Sequence, residues 1–281
     1  MFSVAGGIAP GGACVATVVW MKKRVDTVIA DRGLAPSRSA AARSVRAGQV
    51  RVGSDGPVLL RPSDLVETDA DLVVTGGDAY VSRGGEKLAN ALDALPDLDP
   101  AGRTCLDIGA STGGFTDCLL QRGAKQVMAL DVGHGQLDWR LRNDDRVRVV
   151  EDFNARELSP DRFDRQPDLV TMDVSFISLT KILAPVVSSA ADAFDLLAMV
   201  KPQFELGRKR VGRGGVVRDP AARAEAVLMV AEAARAEGLH VRGFAASGLT
   251  GPKGNRETFI WCDREGPEPA SLESALSEVE V

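Results

Sequence analysis

From residue 104 onward, short apolar runs alternate with stretches of helical period. The apolar runs are TCLDIGA, QVMALDV, RVRVVEDF, DLVTMDVSF, DLLAMVK, HVRGFAAS and ETFIWCDR. Between and before them, EKLANALDAL, GFTDCLLQRG and AARAEAVLMVAEAARAEG repeat their apolar positions every three to four residues, as amphipathic helices do. Strands separated by helices predict a mostly parallel sheet covered on both faces, so the fold class is α/β. Only GLTGPKGN separates the last two runs, too short for a crossover helix, so they form a hairpin and place an antiparallel strand in the sheet. Upstream, residues 22–76 show a different rhythm. Val25, Val28 and Ile29 mark one short helix ended by Gly33; Ser37 caps a second that carries Ala40, Ala41 and Val45 and ends at Gly48. QVRVGSDG and DLVETDADLVVTG supply short strands and turns, which makes this unit α+β. Glycines cluster at 76, 77, 84 and 85, so residues 77–84 read as a linker, with Tyr80 and Val81 placed to pin two domains together. The larger domain then runs 85–265, and 266–281 is an acidic, proline-containing tail that reads as flexible, with a short helix near SLESALSEVE.

Composition narrows the class. The chain has 281 residues with 44% hydrophobic content, enough for two domains with a packed core. Its four cysteines are far apart and its two histidines are isolated, which disfavours a zinc site and a disulfide framework and suits a reducing cytoplasm. The first 20 residues carry no charge, but glycines and Pro10 interrupt them and no basic segment precedes them, so residues 1–21 read as an unstructured extension rather than a membrane anchor. The net charge of −5 conceals two basic segments. Lys22 to Arg51 holds eight Lys/Arg against two Asp, and Lys201 to Arg218 holds six Lys/Arg against one Glu. A mildly acidic protein with two concentrated basic segments suits RNA.

The turn DIGASTGG follows a strand and opens a helix. In an open parallel sheet, ligands bind at the carboxyl ends of the strands. A dinucleotide site wants Gly-x-Gly-x-x-Gly; here the spacing is Gly109, Gly113, Gly114, with Ser111 at the middle glycine's place. Asp107 sets an anion before the turn, which repels a pyrophosphate but suits cationic S-adenosylmethionine, and Thr112 is placed to cap the helix. Asp131, ending the next strand, can accept both ribose hydroxyls; Asp152 or Asn154, after the third, is placed to meet the adenine amine. The cofactor wall then comprises Asp107, Gly109, Ala110, Ser111, Thr112, Gly113, Gly114, Phe115, Asp131, Asp152 and Asn154. Asp107-x-Gly109 with Asp131 resembles a class I methyltransferase of Rossmann-like fold.

Arg24, Asp26, Gly33, Ser37, Arg38, Ala42, Gly48, Val50 and Val52 are similar in residue and spacing to the S-four-type RNA-binding domain. The resemblance implies that Arg24, Arg38, Arg43 and Arg46 meet RNA phosphates. The segments SRGGEKL, GASTGGFTD, DVSFISL, VKPQFE, GGVVRDP and GPKGNRETF resemble the TlyA family, which joins an S-four domain to an FtsJ-like ribose methyltransferase domain and whose members have also been called hemolysins. That likeness spans residues 22–263. It implies methylation of cytidine 2′-hydroxyls in 16S and/or 23S ribosomal RNA, a tetrad of Lys87, Asp173, Lys201 and Glu257, ribosomal RNA or ribosomal subunits as partners, and no metal. The reading is of a cytoplasmic monomer without membrane attachment.

The chemistry of the tetrad agrees. A ribose hydroxyl attacks only when something accepts its proton, and a lysine does so at neutral pH when desolvation and a second ammonium favour its neutral amine. Lys201, at the end of an apolar strand, is the acceptor; Lys87 is the cationic neighbour that also positions the ribose. Asp173 holds the Lys201 amine, and Glu257 orients Lys87 or the hydroxyl. Phe176 and Phe204 offer stacking surfaces for a flipped base, although core packing is the commoner role for such residues. The loop ELGRKRVGRGGVVRDP, with Arg208, Lys209 and Arg210, reads as a mobile clamp on phosphates. A non-enzymatic RNA binder with a vestigial pocket, a membrane-active hemolysin drawing on residues 1–20, and a nicotinamide dehydrogenase are the competing classes.

Overall fold

The computed structural model describes residues 22–35, 37–46, 48–54, 56–74, 79–207, 210–251 and 253–279. The expected extension 1–21 and the candidate RNA contacts Arg208 and Lys209 lie outside the described residues. The chain divides into two compact units, Met1–Gly77 and Asp78–Val281.

The first unit contains β1 (Lys22–Arg24), α1 (Val25–Asp31), α2 (Arg38–Arg46), β2 (Val50–Val52), β3 (Val58–Leu59), β4 (Leu65–Glu67) and β5 (Leu72–Val74). β1 pairs antiparallel with β4, and β3, β2 and β5 form a second antiparallel sheet in that order. Val25, Val28 and Ile29 of α1 meet Ala41 and Val45 of α2 in a small core closed by Val50, Val66 and Leu72. The helix ends follow the local chemistry of their residues. The Ala40 N–H donates to Ser37 Oγ at 3.1 Å, and Gly33 and Gly48 take the left-handed φ values of +70° and +71° that let the chain turn away.

The second unit opens with α3 (Arg83–Ala94) and continues β6 (Thr104–Ile108), α4 (Gly114–Gln121), β7 (Gln126–Leu130), α5 (Trp139–Arg142), β8 (Val147–Val150), β9 (Leu169–Met172), α6 (Leu183–Ser189), β10 (Asp195–Val200), α7 (Pro202–Glu205), α8 (Pro220–Ala236), β11 (His240–Ala246), β12 (Thr258–Asp263) and α9 (Leu272–Ser277). All seven apolar runs form strands of one sheet, ordered β11-β12-β10-β9-β6-β7-β8. β12 lies antiparallel between β10 and β11, while β8, β7, β6, β9 and β10 are parallel. The sheet is buried on both faces: Leu106 and Ile108 of β6 face the core containing Val186, Val227 and Val230, and Cys105, of opposite parity along the strand, faces Leu88, Leu119 and Phe259. The chain runs outward from β6 to β8, then returns to the other side of β6 as β9. That reversal opens a crevice at the carboxyl ends of β6 and β9.

Two expectations require correction. The stretch 77–84 is not a free linker along its described part, because α3 already begins at Arg83 and the residues before it are tied to α4. The Val81 N–H donates to Asp117 at 2.8 Å, and the Tyr80 ring lies where a Cβ on Gly85 would fall only 2.2 Å away, a space only glycine leaves open. The tail from 266 is likewise packed as far as residue 279. Glu268 accepts from the Val241 N–H at 2.8 Å and pairs with Arg235, while Leu272 and Leu276 of α9 are buried against the core. Acidic composition hid this because one carboxylate and two leucines suffice to fasten a short helix. Leu276→Ala should therefore lower the unfolding free energy by about 2–5 kcal/mol in urea titrations, the range for truncating a buried leucine; an unchanged midpoint would show that α9 is only loosely held.

Candidate active site

A cavity of about 470 Å³ lies at the carboxyl ends of β6, β7 and β9, lined by Gly109, Ser111, Asp131, Asn154, Asp173 and Phe176 among others. Its floor is the turn after β6. Gly109 has φ +85°, and a Cβ there would sit 2.6 Å from the Asp173 carbonyl oxygen, so the turn can lie against β9 only as glycine. Gly113, at φ +96°, leaves room for Leu137 and Leu141, which fold the segment leading into α5 over the turn. The turn is therefore layered. Gly109 and Ser111 line the cavity, whereas Ala110, Gly113, Gly114 and Phe115 are buried behind them. The Phe115 ring packs at 5.8 Å on Phe259 in the core. Nor does Thr112 cap α4: it is exposed, its carbonyl accepts the Asp138 N–H at 3.1 Å, and Gly113 occupies the cap position.

Asp107 also departs from expectation. It does not point into the cavity but is fully buried beneath it, accepting from Thr116 Oγ1 at 2.7 Å and Thr171 Oγ1 at 3.2 Å. Burial, with a smaller contribution from nearby Asp173, pushes its carboxyl up to about 7, while the two threonine hydroxyls pull it down. Asp107 braces β6 to α4 and β9 rather than presenting an anion to a ligand.

Asp131 stands just past β7 on the cavity wall. Its oxygens accept from the Ser111 N–H at 2.8 Å and the Gly133 N–H at 2.7 Å, which fixes the carboxylate and leaves further lone pairs for two hydroxyls. Of the pair Asp152 or Asn154, the structure brings Asn154 to the cavity. The Asp152 carboxylate turns instead to His134 Nδ1 at 2.8 Å. Sequence reasoning missed several wall residues, Gln136 and Val132 among them. Gln136 lines the cavity and contacts Ser111 Oγ at 3.2 Å, and Val132 is an exposed apolar residue directly after Asp131. The apolar residue following a strand-end aspartate was a legible signal; Gln136 came from a loop with no periodicity.

The four tetrad residues arrive from four elements and form two ion pairs. Lys87 of α3 pairs with Glu257, the residue before β12, and both are buried. Lys201, which follows β10 and is 8% exposed, pairs with Asp173, which follows β9, at 2.5 Å. Burial outweighs the adjoining Lys201 and holds the Asp173 carboxyl above its ordinary range; Lys87 and Glu257 also act on it, so the two pairs share one electrostatic site. Lys201 Nζ donates a hydrogen bond to Ser175 Oγ at 2.9 Å, a contact the sequence did not reveal. Phe176, for which core packing was the commoner expectation, is 91% exposed with φ +64° and stands 5.2 Å from the Phe204 ring. An exposed phenylalanine in a left-handed conformation on a cavity rim offers a flat apolar face to a ligand.

The basic residues fall into two groups. In the first unit, Arg24 and Arg38 both pair with buried Asp26, which their hydrogen bonds and charges hold down at about 2; Arg43 and Arg46 are exposed on α2. In the second unit, Arg210 pairs with Glu225 of α8. The loop beyond it is anchored rather than mobile at its end: buried Asn255 accepts the Val217 N–H at 2.9 Å and donates to the Gly215 carbonyl at 2.8 Å.

A mixed seven-stranded sheet with an acidic residue at the end of β7, a glycine turn at the switch point and a lysine–carboxylate site on the rim defines a class I methyltransferase, for which S-adenosylmethionine is the methyl donor. The family comparisons agree: the FtsJ-like methyltransferase model matches residues 80–264, and the S4 domain model matches residues 23–71. The chain is 51% identical over 242 residues to the Mycobacterium tuberculosis 16S/23S rRNA (cytidine-2′-O)-methyltransferase TlyA, covering 85% of this chain and 89% of that protein. It is 43% identical over 198 residues to Hemolysin A of Brachyspira hyodysenteriae, covering 70% of this chain and 81% of the relative. A solved Streptococcus thermophilus protein bearing the hemolysin name superimposes with a TM-score of 0.69 at 38% identity, covering 92% of this chain and 96% of its own. The chain belongs to the TlyA family of FtsJ-like methyltransferases.

The residues present fit the cofactor. Asp131 would receive a ribose diol, Val132 and Asn154 would offer apolar and amide contacts for a base, and Gly109 leaves open backbone where a side chain would strike Asp173. The raised Asp107 carboxyl supplies a test of its bracing role. Because its folded value of about 7 lies above the ordinary 3.8, the folded state holds a proton that the unfolded state has released. That contribution to stability is complete below pH 4 and is lost as pH rises through 7. Asp107→Asn should therefore gain on the parent between pH 5 and pH 8 in urea unfolding; a difference in stability that stays constant across that range would rule the buried neutral carboxyl out.

Proposed function

We propose that the chain transfers a methyl group from S-adenosylmethionine to the ribose 2′-hydroxyl of cytidine in 16S and/or 23S ribosomal RNA. The observation that carries this reading is the buried Lys201 amine, held against Asp173 and Ser175 on the rim of a cavity suited to the cofactor. The cofactor supplies a methyl on a sulfonium, whose departure leaves a neutral thioether. The protein's part is to place the attacking oxygen in line and receive its proton, and alignment alone contributes up to roughly 7–11 kcal/mol in favourable cases.

Lys201 Nζ takes the 2′-hydroxyl proton as the oxygen–carbon bond forms and the carbon–sulfur bond breaks. Asp173 fixes the amine and, as an anion, stabilises the ammonium that results. Lys87, held by Glu257, lies in the same field and gives the ribose a donor to dock against. The exposed face of Phe176, backed by Phe204, receives the base of the target nucleotide once it leaves its stack. Arg24, Arg38, Arg43 and Arg46 give the first unit its grip on phosphates, with Asp26 fixing two of them in a set spacing. A purely RNA-binding role leaves the tetrad unexplained, since even paired buried charges add little stability and hydrophobic residues would serve a scaffold better.

Tritiated methyl transfer to ribosomal subunits tests the assignment. Lys201→Ala should lose at least about 100-fold in rate, the lower range for removing a general base, while cofactor affinity measured by calorimetry stays within a few-fold. A variant with parental turnover would remove Lys201 from the chemistry. Phe176→Ala should raise KM for the RNA about 10-fold, as expected for losing one stacked base; an unchanged KM would return Phe176 to a surface role.

A further inference from the structure

The loop 174–178 links β9 to the single helical turn at Leu179–Lys181 and joins the cavity wall to the Lys201 amine. Val174 and Ile177 line the cofactor cavity, Ser175 meets the Lys201 amine, and Phe176 projects outward. A tetrahedral amine joined to Cε has three remaining directions. With Asp173 as its one contact, a neutral amine can rotate about the Cε–Nζ bond among three equivalent settings, and its lone pair faces the substrate in only some of them. A hydrogen bond to Ser175 limits that freedom. Ser175 Oγ accepts an N–H of the amine at 2.9 Å, while Asp173 Oδ1 lies 2.5 Å away as an ion-pair partner outside hydrogen-bond geometry, so Ser175 is the contact that fixes one N–H direction and restricts where the lone pair points.

Ser175 is held in place from the far end of its loop. Glu205 ends α7, the short helix that starts directly after Lys201, and its carboxylate accepts from Ser178 Oγ at 2.5 Å and from the Leu179 N–H at 3.0 Å. Beside it, Phe204 of the same helix rests against Phe176. The segment carrying the proton acceptor is thereby fastened to the segment carrying its second contact. Glu205 is largely removed from solvent, and burial raises its carboxyl above the ordinary range, yet it reaches neither the tetrad nor the cavity lining.

We infer that Ser175 is a positioning residue that sets the direction of the Lys201 lone pair, and that Glu205 acts through the loop to keep Ser175 there. The inference rests on Lys201 being the proton acceptor. It is tested by single-turnover methyl transfer from tritiated S-adenosylmethionine to purified ribosomal subunits, followed across pH. Ser175→Ala removes an acceptor that favours the ammonium, so the rate profile should move to lower pH. At the same time its high-pH plateau should fall about 10-fold, the equivalent of one hydrogen bond. Ser175→Thr, which returns the hydroxyl, should recover the plateau to within about threefold, within the usual spread of one hydrogen bond. Glu205→Ala should reproduce the loss. Glu205→Gln should largely avoid it, because its carbonyl can accept from Leu179 while Ser178 turns to accept from the amide. The Ser175→Ala, Glu205→Ala double variant should be no slower than the slower single variant, since both remove one contact. A parental plateau and profile in Ser175→Ala, or losses that multiply in the double variant, overturns the inference. Lys201→Ala run in parallel separates the failures: if it keeps its rate, the acceptor assignment falls; if it is inactive while Ser175→Ala is unaltered, only the positioning role falls.

Discussion

Two ammonium groups and two carboxylates inside a fold are tolerable only when each has its opposite within contact, and this constraint organises the second unit. Lys87 with Glu257 and Lys201 with Asp173 satisfy it pairwise, and of the four Asp173 lines the cavity. The partners come from α3, the end of β9, the end of β10 and the start of β12, so no local piece of chain can form the site. Removing one member strands a buried charge. Removing both would relieve the fold but, on the proposed mechanism, leave the ribose hydroxyl without its proton acceptor.

The switch point between β6 and β9 joins cofactor geometry to acceptor geometry by backbone contact. Gly109 approaches the Asp173 carbonyl as no other residue could, so the glycine turn and the residue paired with Lys201 are packed directly against each other. Beneath them Asp107 ties β6 to Thr116 of α4 and Thr171 of β9 with two hydroxyl hydrogen bonds. Its raised carboxyl is the consequence of serving as an internal brace in a place without water. In the first unit, buried Asp26 acts in the opposite sense: two arginines draw its proton off, and the carboxylate in turn holds their guanidinium groups at a set spacing.

What could be read from the sequence was whatever local periodicity or residue chemistry encodes. The seven strands, the closing hairpin and helices α3, α4 and α8 followed from apolar spacing, because a buried strand or an amphipathic helix cannot form without it. The ends of α1 and α2 followed from Ser37, Gly33 and Gly48, whose backbone preferences act within a few residues. Strand-end positions also exposed Asp131, Asp173, Lys201 and Glu257 as candidates, since a charged residue after an apolar run has few other places to go. The packed tail was illegible: Glu268 and Leu276 become informative only once Arg235, Val241 and the core they meet are known.

The sequence by itself thus determined the elements, their order, and the residue types available at the carboxyl edge of the sheet. Tertiary structure alone decided which of these residues meet. It buried Asp107, turned Asp152 to His134, left Phe176 in solvent, and brought Ser175 to the Lys201 amine. The physical reason is range. Helix and strand formation depend on neighbours a few positions away, whereas the direction of a side chain past a strand end depends on atoms contributed by other strands and by the loops that follow them.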